Sequence, residues 1–391
     1  MQHERILVRG VNWLGDAIMS TPALLRLREA RPDAEIVLLT PGKLAELWDH
    51  HPALNAILTF SETESVFQIA RRLRREQFTQ ALIFPNSPRS ALESFLARIP
   101  ERIGYARPWR TPFLTRPVTP RPGERPMQKR SLGEIRRLLR HPGDAPARPI
   151  PASAHHIHQY LHLAAAMGAN PAPVAPRVTV TSAEIEQTWK RFDLPPTEGR
   201  EEPWFGLNPG AQYGPAKRWP PERFIEAAVT LRRRTGCRWL IFGSEADAPL
   251  AAQIESALIA ESQHDGPASS KSSTAVVNVA GRTGLRDLCA LLRNCSILLT
   301  NDSGPMHVAA AVGTPVVVPF GSTSPELTGP GCPGETGARH VLLRAEAACA
   351  PCFRRVCPID FRCMQGISVS QGVQAVLEAS GWPGAGSTQD L

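Results

Sequence analysis

The sequence predicts an α/β protein built from two doubly wound parallel sheets. Three observations predict it. Short apolar runs alternate with helix-length amphipathic segments through both halves of the chain. Turn-forming residues follow the runs that end at Arg9 and Thr300, where such sheets bind their ligands. At 391 residues the chain is long enough for two separate cores.

The first half opens with a strand, Arg5 to Arg9. A glycine-containing turn follows, then a helix whose apolar face includes Ile18, Leu24, Leu25 and Leu27. Glu35–Leu39 and Ala56–Phe60 read as strands, and Val66–Arg75 as a helix buried along Val66, Ile69 and Leu73. Another strand is expected at Gln80–Phe84. The middle, about Pro108 to Pro176, is rich in Pro and Arg and holds one helix around Ala154–Met167. A domain boundary near Pro173–Trp189 gives an N-terminal domain over 1–175, a C-terminal domain over 176–370 and a last segment, 371–391, with a flexible tail.

In the second half, strands are expected at Trp204–Asn208, Arg238–Phe242, Val276–Val279, Ser296–Thr300 and Pro315–Phe320. Helices fall between them at Pro221–Arg234, Asp247–Ala260, Leu285–Arg293 and Gly304–Val312. Ser262–Thr274 reads as a polar surface loop.

The net charge is +8. Arg71, Arg72, Arg74 and Arg75 belong to the solvated face of a helix, and the cluster from Arg121 through Arg148 to an exposed loop. A basic surface suits an anionic partner such as lipid or phosphorylated saccharide. Nucleic acid is not expected, because aromatic residues are not interleaved with the basic ones. No apolar run is long enough to span a bilayer and no signal peptide is recognised, so the expected location is cytoplasmic.

The chemistry is expected in the turns after the strands. In Thr300-Asn301-Asp302-Ser303-Gly304-Pro305-Met306-His307 a helix begins at the turn, and its N-terminus suits a phosphate. Asp302 and His307 are placed to touch the group that phosphate carries. The alternative reading is ordinary capping by Asp302 or Ser303. Gly10 to Asp16 is neither a Walker loop nor a full dinucleotide fingerprint. Asp16 reads either as an N-cap or as a general base. Asn86, Ser87 and Arg89 offer hydrogen bonds and a guanidinium to a sugar or an acidic acceptor, or simply start a helix.

The long loop Asn208–Pro220 supplies Gly210, Lys217 and Arg218 around a phosphate, with Trp219 as a packing anchor. Glu245 or Asp247 would bind ribose hydroxyls, or Asp247 caps a helix. Gly281-Arg282-Thr283 is a weaker candidate for lining a base pocket. Cys349, Cys352, Cys357 and Cys363 have spacing that admits a structural zinc, though it fits no zinc family tightly. No Asp-x-Asp metal–nucleotide motif is present.

Taken together, Arg9–Asp16, Pro85-Asn86-Ser87, Gly214–Pro220 and Thr300–Gly304 resemble, in that order, the bacterial ADP-heptose–lipopolysaccharide heptosyltransferases of glycosyltransferase family 9. The resemblance runs from Arg5 to about Thr328 and looks strongest to the members that add the second heptose of the inner core. It implies a GT-B fold, two Rossmann-like domains facing a cleft, with the acceptor on the N-terminal domain and the donor on the C-terminal one. It implies inverting transfer with no cofactor required for catalysis. Carried over, Asp16 is the general base, while Lys217 and the backbone of Ser303, Gly304 and Pro305 hold the diphosphate. Asp302 contacts the heptose, and Asn12, Trp13, Asn86, Ser87 and Arg89 face the acceptor. The implied partners are ADP-heptose and a lipid A–Kdo–heptose acceptor, at the inner face of the inner membrane. First- or third-heptose transfer, or another ADP- or UDP-sugar, is the alternative. The cysteine cluster occurs in only some relatives and the Ser-rich insertion has no counterpart.

Overall fold

The structure is a computed structural model and describes residues 4–144, 150–195, 202–264, 276–332 and 340–382. In chain order it begins with β1 (Arg5–Arg9), α1 (Leu14–Ala30), β2 (Glu35–Pro41) and β3 (Ala56–Phe60). Next come α2 (Val66–Arg75), β4 (Gln80–Ile83), α3 (Pro88–Leu96), β5 (Glu101–Tyr105) and β6 (Arg116–Val118). Three helices follow: α4 (Leu132–Arg140), α5 (Ile157–Ala165) and α6 (Ser182–Arg191). The rest runs β7 (Trp204–Asn208), α7 (Pro221–Thr235), β8 (Arg238–Ile241), α8 (Ala248–His264), β9 (Val276–Asn278) and α9 (Leu285–Arg293). It ends with β10 (Ile297–Thr300), α10 (Gly304–Ala311), β11 (Val316–Pro319), α11 (Pro325–Thr328), β12 (Val341–Leu343), α12 (Arg362–Gln365) and α13 (Val369–Ser380).

Among the described residues, 4–125, 151–179 and Cys332 form one compact unit, and the others form a second. The first sheet has the order β3-β2-β1-β4-β5-β6, all parallel. Ile6, Leu7 and Val8 are wholly buried because a parallel sheet is covered on both faces. α2 starts in a capping box between Ser65 and Gln68 and buries Ile69 and Leu73, as its spacing predicts. The second sheet has the order β12-β11-β10-β7-β8-β9, also all parallel. Its core gathers Phe205, Trp219, Phe224, Trp239 and Met364. In each sheet the strand order reverses at one place, between β1 and β4 and between β7 and β10. The loops leaving those four strands are the ones the motif reading singled out.

The structure departs from the sequence reading in several places. The Arg-rich stretch is not all loop. Ser131 caps α4, which buries Ile135 and Leu138 and leaves Arg136, Arg137 and Arg140 outside. This segment packs within the second unit, although it lies in the half of the chain assigned to the first domain. The Arg130 N–H bonds the Cys352 carbonyl at 3.0 Å, and its Nε bonds the Pro351 carbonyl at 3.0 Å. α8 runs on to His264, so only the later part of Ser262–Thr274 lies outside the described residues. The expected flexible tail lies outside them beyond Trp382. β5, β6, β12 and α13 were not anticipated. The three strands are short, and two of them are sheet edges. No helix among the described residues is long and apolar enough to cross a membrane.

Candidate functional site

Asp16 stands in the first turn of α1. Trp13 occupies the N-cap position without a side-chain cap bond, so Asp16 is not the cap. Its Oδ1 instead accepts a 2.9 Å hydrogen bond from the Tyr160 hydroxyl on α5. Burial, with the Asp16 charge adding to it, pushes the Tyr160 phenol well above its ordinary range, so it stays a donor. Burial also lowers His156, the N-cap of α5, against the opposing charges of Asp16 and Glu124. A helix N-terminus and a neutral donor therefore both favour the Asp16 carboxylate in its charged form. Replacing Tyr160 by phenylalanine removes one of them. If Asp16 is the base proposed below, the acid limb of the rate profile is then expected to move to higher pH, read from kcat between pH 4 and 9.

The remaining N-terminal candidates divide. Asn12 and Trp13 are exposed, with the Lys43 ammonium 5.7 Å from the Trp13 ring. Ser87 caps α3, accepting from the Ser90 N–H at 3.3 Å. Arg89 is tied back to its own unit through Glu93 at 3.3 Å and the Glu64 carbonyl at 2.5 Å. Asn86 Oδ1 accepts from Arg110 at 3.2 Å.

In the second unit, four side chains stitch the loop after β7 to the loop after β10. Asn208 Nδ2 donates to Thr300 Oγ1 at 2.9 Å and Ser303 Oγ at 3.1 Å. Asn301 Nδ2 donates to the Pro209 carbonyl at 2.7 Å, and its Oδ1 accepts from the Trp219 N–H at 2.9 Å. Trp219 is the packing anchor expected of it, buried with its indole N–H on the Ile367 carbonyl. This stitching sets Lys217 Nζ 2.7 Å from Asp302 Oδ2, with the ammonium also 4.9 Å from the Tyr213 ring. Thr323 Oγ1 donates to the same Asp302 oxygen at 2.5 Å. Beside this pair lies the N-terminus of α10, whose N-cap Ser303 makes no side-chain cap bond. Pro305 has no N–H to offer, which corrects its expected part in holding a diphosphate. The donors at this end belong to Ser303, Gly304 and Met306. His307 is buried on the same helix.

A site of this kind occurs in many nucleotide-binding sheets, so the whole chain has to decide. A family model, glycosyltransferase family 9 (heptosyltransferase), matches residues 66–361. The chain belongs to glycosyltransferase family 9. Lipooligosaccharide heptosyltransferase 2 of Haemophilus influenzae is 31% identical over 335 residues, covering 83% of this chain and 85% of its own. Lipopolysaccharide heptosyltransferase 2 of Escherichia coli K12 is 32% identical over 339 residues, with 83% and 85% covered. The solved structure of the E. coli ADP-heptose LPS heptosyltransferase II superposes with a TM-score of 0.71 at 25% identity, covering 96% of this chain and 98% of that one. The protein is a glycosyltransferase, and its two Rossmann-like sheets are the halves of a GT-B fold.

Other expected site residues of this family 9 enzyme fall around the same loops. Asp247 is committed to a turn: its Oδ2 accepts from the Ser244 N–H at 3.1 Å and from the Ser244 hydroxyl at 2.6 Å. Its carboxylate lies against Gly210, where a Cβ would collide with it, and 3.6 Å from the Arg218 guanidinium. Glu245 is exposed, and Thr283 is half-buried ahead of α9. The cysteine-bearing loop braces the Lys217 loop. Tyr213 donates to the Phe353 carbonyl at 2.8 Å, and Ala216 N–H to the Arg355 carbonyl at 3.0 Å.

Gly214 has φ +147°, and a Cβ there would lie 2.5 Å from the Arg355 oxygen. Gly214→Ala is expected to cost about 1–3 kcal/mol, measured as a shift in the urea midpoint, through backbone strain at this brace. Cys349, Cys352 and Cys363 are buried, the first two against Ile135, and burial pushes Cys363 up to about 12. Phe361 N–H donates to Cys357 Sγ at 3.3 Å. Among the described residues no three His, Cys, Asp or Glu side chains form a group able to hold a metal ion.

Tyr160, Tyr213 and Thr323 were missed from sequence. Tyr213 sat inside a loop already quoted. The other two carry no motif and are brought in by packing.

Proposed function

We propose that this enzyme transfers L-glycero-D-manno-heptose from ADP-heptose to the first heptose of the lipopolysaccharide inner core, with inversion at the anomeric carbon. The observation that carries the reading is the Lys217–Asp302 pair set at the N-terminus of α10, in a chain with two relatives named heptosyltransferase 2. In this reading Asp16 takes the proton from the acceptor hydroxyl as its oxygen bonds the anomeric carbon. The bond from that carbon to the diphosphate oxygen breaks and ADP leaves. Negative charge grows on the diphosphate, where Lys217 and the N–H groups of Ser303, Gly304 and Met306 meet it. Asp302 orients the Lys217 ammonium and faces the heptose. Glu245 is the better ribose partner, because Asp247 already serves its turn.

The membrane-anchored acceptor would hold the enzyme at the inner face of the inner membrane. The test is ADP release from ADP-heptose in EDTA, with and without an inner-core acceptor carrying one heptose. Acceptor-dependent release supports the reading. Release only with a heptose-free or a two-heptose acceptor moves the enzyme to the first or third transfer. No release with any of them overturns it.

A further inference from the structure

One short stretch of the cysteine-bearing loop holds the Lys217–Asp302 pair from both sides, and the residue that joins them has no part in the mechanism above. Tyr213 lies four residues before Lys217, in the loop after β7. It is half-buried, with the Lys217 ammonium 4.9 Å from the centre of its ring. Three contacts fasten it to the cysteine-bearing loop. Its hydroxyl donates to the Phe353 carbonyl at 2.8 Å, and Arg355 Nε donates to its backbone carbonyl at 2.8 Å. The Arg355 guanidinium also lies 5.4 Å from the ring centre. Burial is the largest influence on the Tyr213 phenol and raises it above its ordinary value, so the hydroxyl remains a donor at neutral pH.

Phe353 carries the link onward. It is 8% exposed and has φ +52°, a left-handed conformation uncommon in a residue with a side chain. Such a conformation persists where the surrounding contacts over-determine it. Both backbone polar groups of Phe353 are used here. The carbonyl takes the Tyr213 hydroxyl, and the N–H donates to the Ser322 carbonyl at 2.7 Å. Ser322 precedes Thr323, whose hydroxyl donates to Asp302 at 2.5 Å. The ring beside the lysine is thereby tied to the segment that grips the aspartate.

An ammonium on a four-carbon stem has many rotamers, and fixing it costs free energy. Asp302 holds Lys217 by hydrogen bonding, at 2.7 Å. A ring face attracts a cation without taking its N–H bonds, so it restricts the ammonium and leaves those bonds for oxygen acceptors.

We propose that Tyr213 is a positioning residue for the diphosphate. Its ring seats the Lys217 ammonium, and its hydroxyl keys that seat, through Phe353, to the segment that holds Asp302. The proposal rests on the reading of Lys217 as the cation that meets the diphosphate.

The test is a double-mutant cycle, read by calorimetric titration of the full chain with ADP and separately with AMP. AMP keeps the adenosine and one phosphate but has no diphosphate. Tyr213→Leu removes ring and hydroxyl and is expected to weaken ADP binding about 10- to 30-fold, the upper range for a desolvated cation–ring contact. Tyr213→Phe keeps the ring and should lose about 2- to 5-fold, the scale of one hydrogen bond. Both should leave AMP affinity within about twofold. In the Lys217→Ala background each should change ADP affinity by less than about twofold, because the ammonium it positions is gone.

An ADP penalty that persists in Lys217→Ala, or that AMP shares, makes Tyr213 a merely structural residue and overturns the proposal. Equal penalties in Tyr213→Phe and Tyr213→Leu also overturn it, since the ring would then have no part. If Tyr213→Leu does not fold by circular dichroism, the cycle with Tyr213→Phe decides, and no coupling to Lys217 overturns the proposal. Weaker ADP binding in Lys217→Ala with native affinity in Tyr213→Leu overturns the proposal and leaves the reading of Lys217 standing. Native ADP affinity in Lys217→Ala, or failure of the native chain to bind ADP, overturns both.

Discussion

Asp16→Asn is expected to lower kcat about 10²- to 10⁴-fold while leaving ADP affinity unchanged. The substitution keeps the size of the side chain and an oxygen for the Tyr160 hydroxyl, which donates to Asp16 at 2.9 Å, so the fold should survive. It removes the only property the proposed mechanism asks of this residue, a lone pair basic enough to accept the acceptor's proton. The donor groups lie in the other unit of the chain, which is why ADP titration is the control. Steady-state ADP release at saturating donor and acceptor measures the effect. A loss below about tenfold would remove Asp16 from the role of base.

Lys217→Ala is expected to lower kcat/KM for the donor about 10²- to 10³-fold, the scale seen when one preorganised charge-stabilising donor is lost. The residue cannot be treated as an isolated cation. Its ammonium is 2.7 Å from Asp302, and the Asp302 side chain is only 4% exposed. Truncating the lysine leaves that carboxylate buried with the Thr323 hydroxyl donating to it, facing, in the proposed mechanism, the place where the diphosphate charge grows. Part of the loss is thus repulsion by Asp302, and stability falls as well. Lys217→Ala with Asp302→Asn separates the two. If the double variant regains affinity for ADP over Lys217→Ala, the buried carboxylate accounts for the difference. If ADP affinity is unchanged in Lys217→Ala alone, Lys217 does not hold the diphosphate. Urea unfolding of each variant shows how much of the change is lost structure.

Much of this architecture was legible in the order of the residues. Ile6–Val8 and Ile297–Leu299 are apolar runs with no alternation, and only strands covered on both faces read that way. Val66, Ile69 and Leu73 recur at helical spacing, and Ser65 with Gln68 writes the start of that helix into the chain. Trp219 was legible as the packing anchor of its loop, and it is buried. The short edge strands β6 and β12 were not legible. Three residues carry too little periodicity to stand out, and what holds them is a neighbouring strand. α4 was hidden because Ile135 and Leu138 are outnumbered by the arginines around them, and only the cysteine-bearing loop shows which face is buried.

By itself, then, the sequence determined two parallel doubly wound sheets, and it named the loops where chemistry is expected, with Asp16, Lys217 and Asp302 as the residues to watch. Those depend on local spacing and on turn residues, which are properties of neighbours along the chain. The tertiary structure alone decided what each polar group meets. It gave Asp16 the Tyr160 hydroxyl 144 positions away, bound Lys217 to Asp302 and tied Asp247 into a turn. Hydrogen bonds and ion pairs act over a few ångströms in space, and that proximity exists only after the sheets have brought distant loops together.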